Sequence, residues 1–360
     1  MIVSFIIVAL NAENVLNNIL SDLEKQTYDH KKIEVVLVDS FSSDKTKSIM
    51  EKFKQKNLNN FIRVVILDNP KKILPCGWNV ALKNSFGDII LRVDAHTRIP
   101  TDFIELNVKT QLEGHKICGG QVKSILLDES DWKKCLYIVE KSSFCGGASD
   151  FRKEGENRYV DTLGFASYNR EVFEKVGGYD ERLARTEDNE MHYRMRKNGY
   201  KFWLNTDIMS YRYLRSSLGK MIKQKFLNGK WVGLTLSISP KCLSKFYFAP
   251  FTFLIALLIC IVLSATVTKV FLVALLVVYF SAAIYSTIKC VTANKFKPTF
   301  ISIPFLFFIL HIAYGLGTLV GIIKIPFWRN KRENLSCDEI QNVKNILLKN
   351  KYIRSEQVNE

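Results

Sequence analysis

The stretch GDIILRVDAHTRIP (87–100) decides how this chain is read, because an apolar run ends in an aspartate and a histidine one residue apart. On a strand, alternate side chains share a face. If the extended geometry persists past Val93, Asp94 and His96 point one way and Ala95 the other. A carboxylate and an imidazole presented together suit a divalent cation, or a phosphate held through one. They suit a solvated hydrogen-bonded pair equally well. The surrounding chain has to choose between these readings.

Working outward, VSFIIVAL (3–10), IEVVLVDS (33–40), FIRVVIL (61–67) and DIILRVDAH (88–96) read as strands. Between them, ENVLNNILSDLEKQ (13–26), DKTKSIMEKFKQK (44–56) and CGWNVALKNS (76–85) read as helices. Strands that are apolar almost throughout, alternating with helices, predict an α/β fold with a mostly parallel sheet covered on both faces. Ligands of such sheets bind at the carboxyl ends of the strands. Asn11 and Glu13 follow the first strand, Asp39 ends the second, and Asp94 and His96 end the fourth, so polar groups gather towards one crevice. Neither G-x-G-x-x-G nor G-x-x-x-x-G-K-[ST] occurs, which leaves out the dinucleotide fingerprint and the P-loop. A nucleotide bound without a glycine-rich loop needs its phosphates neutralised in another way, and a cation at Asp94 and His96 would supply it.

The net charge is +16, and residues 208–332 contain no Asp or Glu. That asymmetry points to an anionic partner, nucleic acid or a phospholipid surface. Apolar runs in the same region favour lipid. FYFAPFTFLIALLICIVLSA (246–265) and VFLVALLVVYFSAAIYSTI (270–288) are each long enough to cross about 30 Å of hydrocarbon, and only TVTK separates them. They are expected to form a membrane hairpin over 246–288. A third stretch, TFISIPFLFFILHIAYGLGTLVGII (299–323), holds Pro304, three glycines and His311, an intramembrane histidine that flags function. It reads as a third span or a partly re-entrant one. LRSSLGKMIKQKFLNGKWVGLTL (214–236) mixes lysines with apolar residues and Trp231, as a helix in the headgroup region does, and nucleic acid is not an expected partner.

Lys and Arg flank the near ends of all three runs, whereas the hairpin tip carries only Lys269. By the positive-inside rule these flanks are cytoplasmic. Three full crossings would leave the tail outside, so either the third stretch does not cross completely or the rule fails; the first reading is favoured. MIVSFIIVAL has no basic n-region and reads as a strand, not a secretory signal. Eight scattered cysteines without a C-x-x-C pair fit reduced thiols facing the cytosol.

Four stretches, VSFIIVALNAENVL (3–16), IEVVLVDSFSSDKT (33–46), GDIILRVDAHTRIP (87–100) and VGGYDERLARTEDNEMHYRMRKNGYK (176–201), together resemble the family 2 glycosyltransferases of GT-A fold. With D-A-H in place of D-x-D, the chain is similar to the branch typified by succinoglycan-biosynthesis glucosyltransferases. The resemblance implies a GT-A catalytic domain over 1–210, a basic amphipathic interface segment over 211–245, a transmembrane region over 246–323 and a basic cytoplasmic tail over 324–360. It implies a multi-pass protein of the cell membrane with its catalytic domain on the cytoplasmic face.

By the same resemblance Asp39 would bind the uracil ring, Asp94 the ribose and the metal-bound diphosphate, and Asn11, Glu13 and Asn79 would join the nucleotide-sugar site. His96 takes the place of the usual metal-ligating aspartate, for Mn²⁺ or Mg²⁺. Asp188 would be the catalytic base, with Glu187 and Gly164 on the acceptor side. The implied reaction is inverting transfer of one sugar, glucose for this branch, from a UDP-sugar to a polyprenyl-diphosphate-linked saccharide in exopolysaccharide or capsule synthesis. Several departures blur how the base and ribose are gripped: Val8 replaces the usual proline, Ala12 a frequent acidic residue, and DSFSSDKT the commoner DDGSTDGT. QKFLNGKW (224–231) does not match the Q-x-x-R-W of polymerising members, which argues for a single addition. Without the resemblance, a helix opening on Glu187, Asp188 and Glu190 needs only the macrodipole to explain it. His192 is expected to pack or lie on a helix surface. The stretch 145–162, rich in glycine and charge, reads as a mobile loop over the site or a plain solvated one.

Overall fold

A computed structural model describes residues 1–126, 130–146, 151, 155–213, 217–292, 297–332 and 338–359. They divide into two units, one drawn from 1–123, 150–212 and 334–360, the other from 124–149 and 213–333.

In the first unit, the strands β1 (Val3–Ala9), β2 (Ile33–Asp39), β3 (Arg63–Asp68) and β4 (Ile89–Asp94) alternate with the helices α1 (Leu16–Leu23), α2 (Thr46–Lys56) and α3 (Leu74–Asn84). All seven residues of β1 and of β2 are buried, which requires cover on both faces. The alternation of the strand divides them between two cores. Val3, Phe5 and Ile7 of β1 join Leu16, Ile19 and Leu23 of α1, Met50 of α2 and Phe103 of α4 (Phe103–Leu112). Ile6 and Val8 instead join Trp78 of α3, Phe173 of α6 (Arg170–Val176), and Met191 and Met195 of α7 (Glu187–Lys197).

The sheet runs β3-β2-β1-β4-β8-β6-β9-β5, with β7 beside β9. The other strands are β5 (Thr97–Arg98), β6 (Ile117–Ile125), β7 (Arg158–Val160), β8 (Ser167–Asn169) and β9 (Phe202–Tyr213). The parallel pairing expected from the sequence covers β1 to β4. Beyond β4 the sheet is mixed: β8 is antiparallel to β4 and β6, and β9 takes β5 and β7 antiparallel. Of the expected loop 145–162, residues 147–150 and 152–154 lie outside the described residues, and Arg158–Val160 form β7.

The stretch 324–360 is not simply a tail. Residues 338–359 form a helix, which we label α13 (Asp338–Asn359). Its Val343 and Leu347 are fully buried in the second core with Trp78 and Phe173. Lys83 reaches Glu339 at 2.6 Å. Gly177, at φ +83°, has the Ile340 carbonyl where a Cβ would stand, so it needs glycine for conformation and for space.

The second unit holds α5 (Asp131–Lys141), α8 (Leu218–Thr235), α9 (Ala249–Thr266), α10 (Val270–Val291), α11 (Ile303–Ile323) and α12 (Ile325–Arg332). Stretches containing α9, α10 and α11 are each long and apolar enough to cross a membrane. Leu136, Val139, Phe307 and Leu310 form the core of this unit. His311, flagged in the sequence, is held by Tyr279 Oη at 2.8 Å and by the Phe144 carbonyl at 2.8 Å. Lys225 donates to the next carbonyl, that of Cys145. His311 therefore pins the 3-10 turn Ser143–Cys145 among the apolar helices. Every described cysteine is a free thiol.

Candidate active site

Parallel register brings three strand ends together. Asp39 stands opposite Ala9, and Asp94 opposite Val8, so the two carboxylates flank the end of β1. Strand spacing sets their Cα atoms roughly 10 Å apart, and because Val8 and Ala9 are consecutive, the alternation of the strands turns the two side chains to opposite faces of the sheet. Asp39 is buried, and its carboxylate accepts from the Ser42 N–H at 3.2 Å, closing the turn after β2.

The loops after β1 and β2 are tied together. Asn11, at φ +50°, accepts from the Ser43 N–H at 2.8 Å and gives its own N–H to Ser42 Oγ at 3.0 Å. Glu13 accepts from the Lys45 N–H at 3.0 Å, and its N–H donates to Asp44 at 3.1 Å. Both residues expected to bind the nucleotide thus hold the rim of the crevice in shape. Asn79, also expected there, is fully buried with its amide engaged: Oδ1 accepts from the Tyr179 N–H at 2.7 Å, and Nδ2 donates to the Tyr179 carbonyl at 2.9 Å. It staples α3 to the GGYDE segment. A side chain with no exposed surface has no face to offer a nucleotide.

At the end of β4 the alternation holds. Ala95 is buried, Asp94 half-buried and His96 exposed. Arg98 anchors the following turn to Asp22 with two bonds of 2.6 and 2.8 Å. Asp94 and His96 make no side-chain hydrogen bond or ion pair among the described residues, which removes the solvated-pair reading. Nor do three His, Cys, Asp or Glu side chains cluster as a self-contained metal cage there. An unpaired carboxylate and imidazole fit a divalent cation that draws its other ligands from a diphosphate and water, the usual arrangement for magnesium.

Arg92, two residues before Asp94 on β4, organises the acidic pair at the start of α7. Its guanidinium bonds Asp188, lies 3.8 Å from Glu187 and 3.3 Å from Tyr179 Oη, and stacks 4.3 Å over the Trp78 ring. Burial would raise the Asp188 carboxyl, yet the Arg92 charge, the neighbouring His192 and the Arg92 hydrogen bond together outweigh it and hold the group below the ordinary aspartate range. Glu187 goes the other way: burial, then the charge of Asp188, pushes it up to about 8 despite Arg92. Its Oε2 is buried without a hydrogen-bond partner. Two adjacent carboxyls are thus driven apart, one ionised and one protonated at neutral pH, a pattern typical of acid–base sites.

His192 bonds Thr162 at 2.7 Å and Tyr168 at 2.8 Å, and burial drives its pKa down to about 4. It packs, as expected. Gly164 approaches Val122 and Phe151, where a Cβ would lie 2.7 Å from a Val122 methyl. Sequence reasoning missed Arg92. Its signal was a lone charge inside IILRVD, where only a buried partner makes an arginine tolerable.

The glycosyl transferase family 2 model matches residues 4–177. The chain is 27% identical over 329 residues to the dolichyl N-acetyl-α-D-glucosaminyl phosphate 3-β-D-2,3-diacetamido-2,3-dideoxy-β-D-glucuronosyltransferase of Methanococcus voltae, covering 89% of this chain and 97% of that protein. It is 29% identical over 201 residues to a succinoglycan biosynthesis protein of Rhizobium meliloti, covering 54% of this chain and 58% of that one. Among solved structures, a mannosyltransferase of Pyrobaculum calidifontis, in complex with GDP-mannose and Mn²⁺, superposes with a TM-score of 0.55 at 17% identity, over 88% of this chain and 86% of that one. That likeness shows the GT-A fold.

Proposed function

Because the chain carries a family 2 glycosyltransferase domain, we propose that this membrane-bound transferase moves one sugar, with inversion, from a UDP-sugar to a saccharide carried on a polyprenyl diphosphate. One observation carries the reading: Arg92 and Asp94 lie on the same face of β4, and Arg92 binds Asp188. That link through Arg92 supports reading Asp94 and Asp188 as parts of one site.

In this reading Asp39 faces the nucleobase, and Asp94 with His96 would hold a divalent cation. Such a cation neutralises the charge that develops on the leaving phosphate. Asp188 takes the proton from the acceptor hydroxyl on the opposite face of the sugar, a role worth roughly 10²–10⁴-fold. Its low proton affinity keeps it ionised and ready. Attack by the acceptor on one donor face inverts the anomeric centre, so an α-linked donor gives a β-linked product. Glucose as the sugar, and exopolysaccharide or capsule as the destination, rest on the succinoglycan-type branch. A lipid-linked acceptor is supported by the archaeal relative, whose name specifies a dolichyl phosphate sugar and a β-configured transfer. Apolar helices in the same chain keep the enzyme where such acceptors are, and the lysine-rich flanks support a cytoplasmic catalytic face.

The test is UDP release from a panel of UDP-sugars by detergent-purified protein with a polyprenyl-diphosphate saccharide, with and without Mn²⁺, for wild type and Asp188→Asn. The expected outcome is metal-dependent turnover of one donor, reduced roughly 10²–10⁴-fold in the variant with donor binding retained. Undiminished turnover by Asp188→Asn would move the base elsewhere.

A further inference from the structure

The catalytic unit contains both the start and the end of the chain. Residues 1–123 and 150–212 belong to it, the chain leaves it after Arg212, and α13 rejoins it, with Val343 and Leu347 in the same core as Trp78 and Phe173. Everything between therefore begins and ends on one side of the membrane, so the number of complete crossings is even. Among the described residues, three stretches are long and apolar enough to cross, Lys245–Thr266, Val270–Val291 and Pro298–Ile323, and three is odd.

Packing within the second unit tells them apart. The first two stretches are each only 11% buried, whereas the third is 44% buried. Much of the cover of α11 comes from α8, and the contact is backbone to backbone. A Cβ on Gly317 would overlap the Phe226 carbonyl, on Gly321 the Lys230 carbonyl, and on Gly229 the Tyr314 carbonyl, while on Gly233 it would lie 2.5 Å from the Thr318 carbonyl. These are two G-x-x-x-G faces in direct contact. Partner numbers rise together along both helices, so α8 and α11 run parallel.

That direction excludes a crossing by α11. If α11 crossed, α8 would lie beside it in the hydrocarbon and cross the same way, taking Lys220, Lys223, Lys225 and Lys230 with it. Four crossings in succession would make α8 and α11, the first and the fourth, antiparallel. A crossing by α11 without α8 would make three. Depth agrees: a Cβ on Gly315, past the midpoint of α11, would lie 2.6 Å from the carbonyl of Pro250, in the first turn of α9. The helix has therefore not moved away from the level at which α9 enters. Its exposed large side chains include Phe305, Ile309, Leu316 and Ile323, which at about 100° per residue fall within one narrow stripe. A helix wetted by lipid on one stripe suits one leaflet.

We infer that, among the described residues, α9 and α10 are the only crossing segments, and that the parallel α8–α11 pair is a platform seated in the leaflet on the catalytic side. Its partner is that leaflet: acyl chains meet the α11 stripe, and anionic headgroups meet the exposed Lys220 and Lys223.

The test uses the full chain in sealed vesicles of both orientations, carrying Lys52→Cys, Lys269→Cys or Lys324→Cys, all at exposed positions. A membrane-impermeant maleimide is added, and labelled sites are identified by peptide mass. Lys52→Cys and Lys324→Cys are expected to react from one side and Lys269→Cys from the other. Reaction of Lys324→Cys from the side that reaches Lys269→Cys would overturn the inference, because α11 would then cross. Reaction of all three from one side would overturn the two-crossing count. Should a variant fail to accumulate, trypsin on wild-type vesicles gives an independent readout. Cleavage after Lys324 is expected only from the face that digests the catalytic unit, and cleavage there from the opposite face sinks the inference.

Discussion

Replacing Arg92 with methionine isolates what its charge contributes, because methionine keeps most of the length and volume in the slot over Trp78. Exposed ion pairs are worth at most about 1 kcal/mol, and breaking a buried one costs about 3–5 kcal/mol. Arg92 is 10% exposed but Asp188 is 43% exposed, so water screens the pair and about 2 kcal/mol applies. Losing the contact with the indole face adds about 1 kcal/mol. The total of about 3 kcal/mol corresponds to a fall of about 6–12 °C in Tm for a domain of this size. A second effect follows in pH. The lowered Asp188 carboxyl contributes stability that is present above about pH 4 and lost as pH falls through the folded-state value. Without Arg92, the largest influence that lowers that value is gone and it rises, so the acid limb of the UDP-release profile moves to higher pH. Intrinsic-fluorescence melting between pH 4 and 8, together with the pH–rate profile, reads both. A Tm within about 2 °C of wild type and an unmoved acid limb would refute the argument.

Glu187→Gln is expected to flatten the pH dependence of Tm. A carboxyl whose folded-state value is raised to about 8 contributes stability that is complete below its unfolded value and lost as pH climbs towards 8. Melting curves at pH 5 and pH 8 should therefore differ less in the variant, and an unchanged difference would place the proton elsewhere. Leu347→Ala removes a fully buried side chain of α13 and should cost about 2–4 kcal/mol, seen as a lower Tm, while donor affinity well below that Tm is kept. His96→Asp replaces an imidazole by a harder oxygen donor, and the Mn²⁺-to-Mg²⁺ activity ratio should fall. An unaltered ratio would mean that His96 does not touch the metal.

The strands β1, β2 and β4 were legible because parallel strands covered on both faces are apolar almost throughout, over only six or seven residues. β5, β7 and β8 are two or three residues long and exist through their partners, so no window of sequence announces them. α13 escaped for a related reason. Among its residues of described burial, only Val343 and Leu347, four residues apart, are fully buried, a pattern too sparse to stand out in a polar stretch. In the candidate site, Asp94, His96 and Asp188 stood out in the sequence by their motifs, and the structure links the β4 end to Asp188 through Arg92. Asn11, Glu13 and Asn79 looked like binding residues because polar side chains at strand ends and helix starts are usually ligand contacts or structural fasteners, and composition does not separate the two. Only the hydrogen bonds do. The third apolar stretch matched a span in length and hydropathy alike. Its glycines, read only for what they interrupt, were in fact the contact with α8.

The return of α13 to the catalytic core imposes an order on how the protein is made. Synthesis runs at roughly 5–20 residues per second, so the interval between Arg212 and Leu347 leaving the ribosome is roughly 7–27 s. During that time Trp78 and Phe173 lack part of their cover, while the intervening residues are being threaded into the bilayer. The catalytic unit therefore completes its packing after its membrane segment has been inserted, and a chain that stalls at insertion is left with an open apolar face for chaperones and proteases to find.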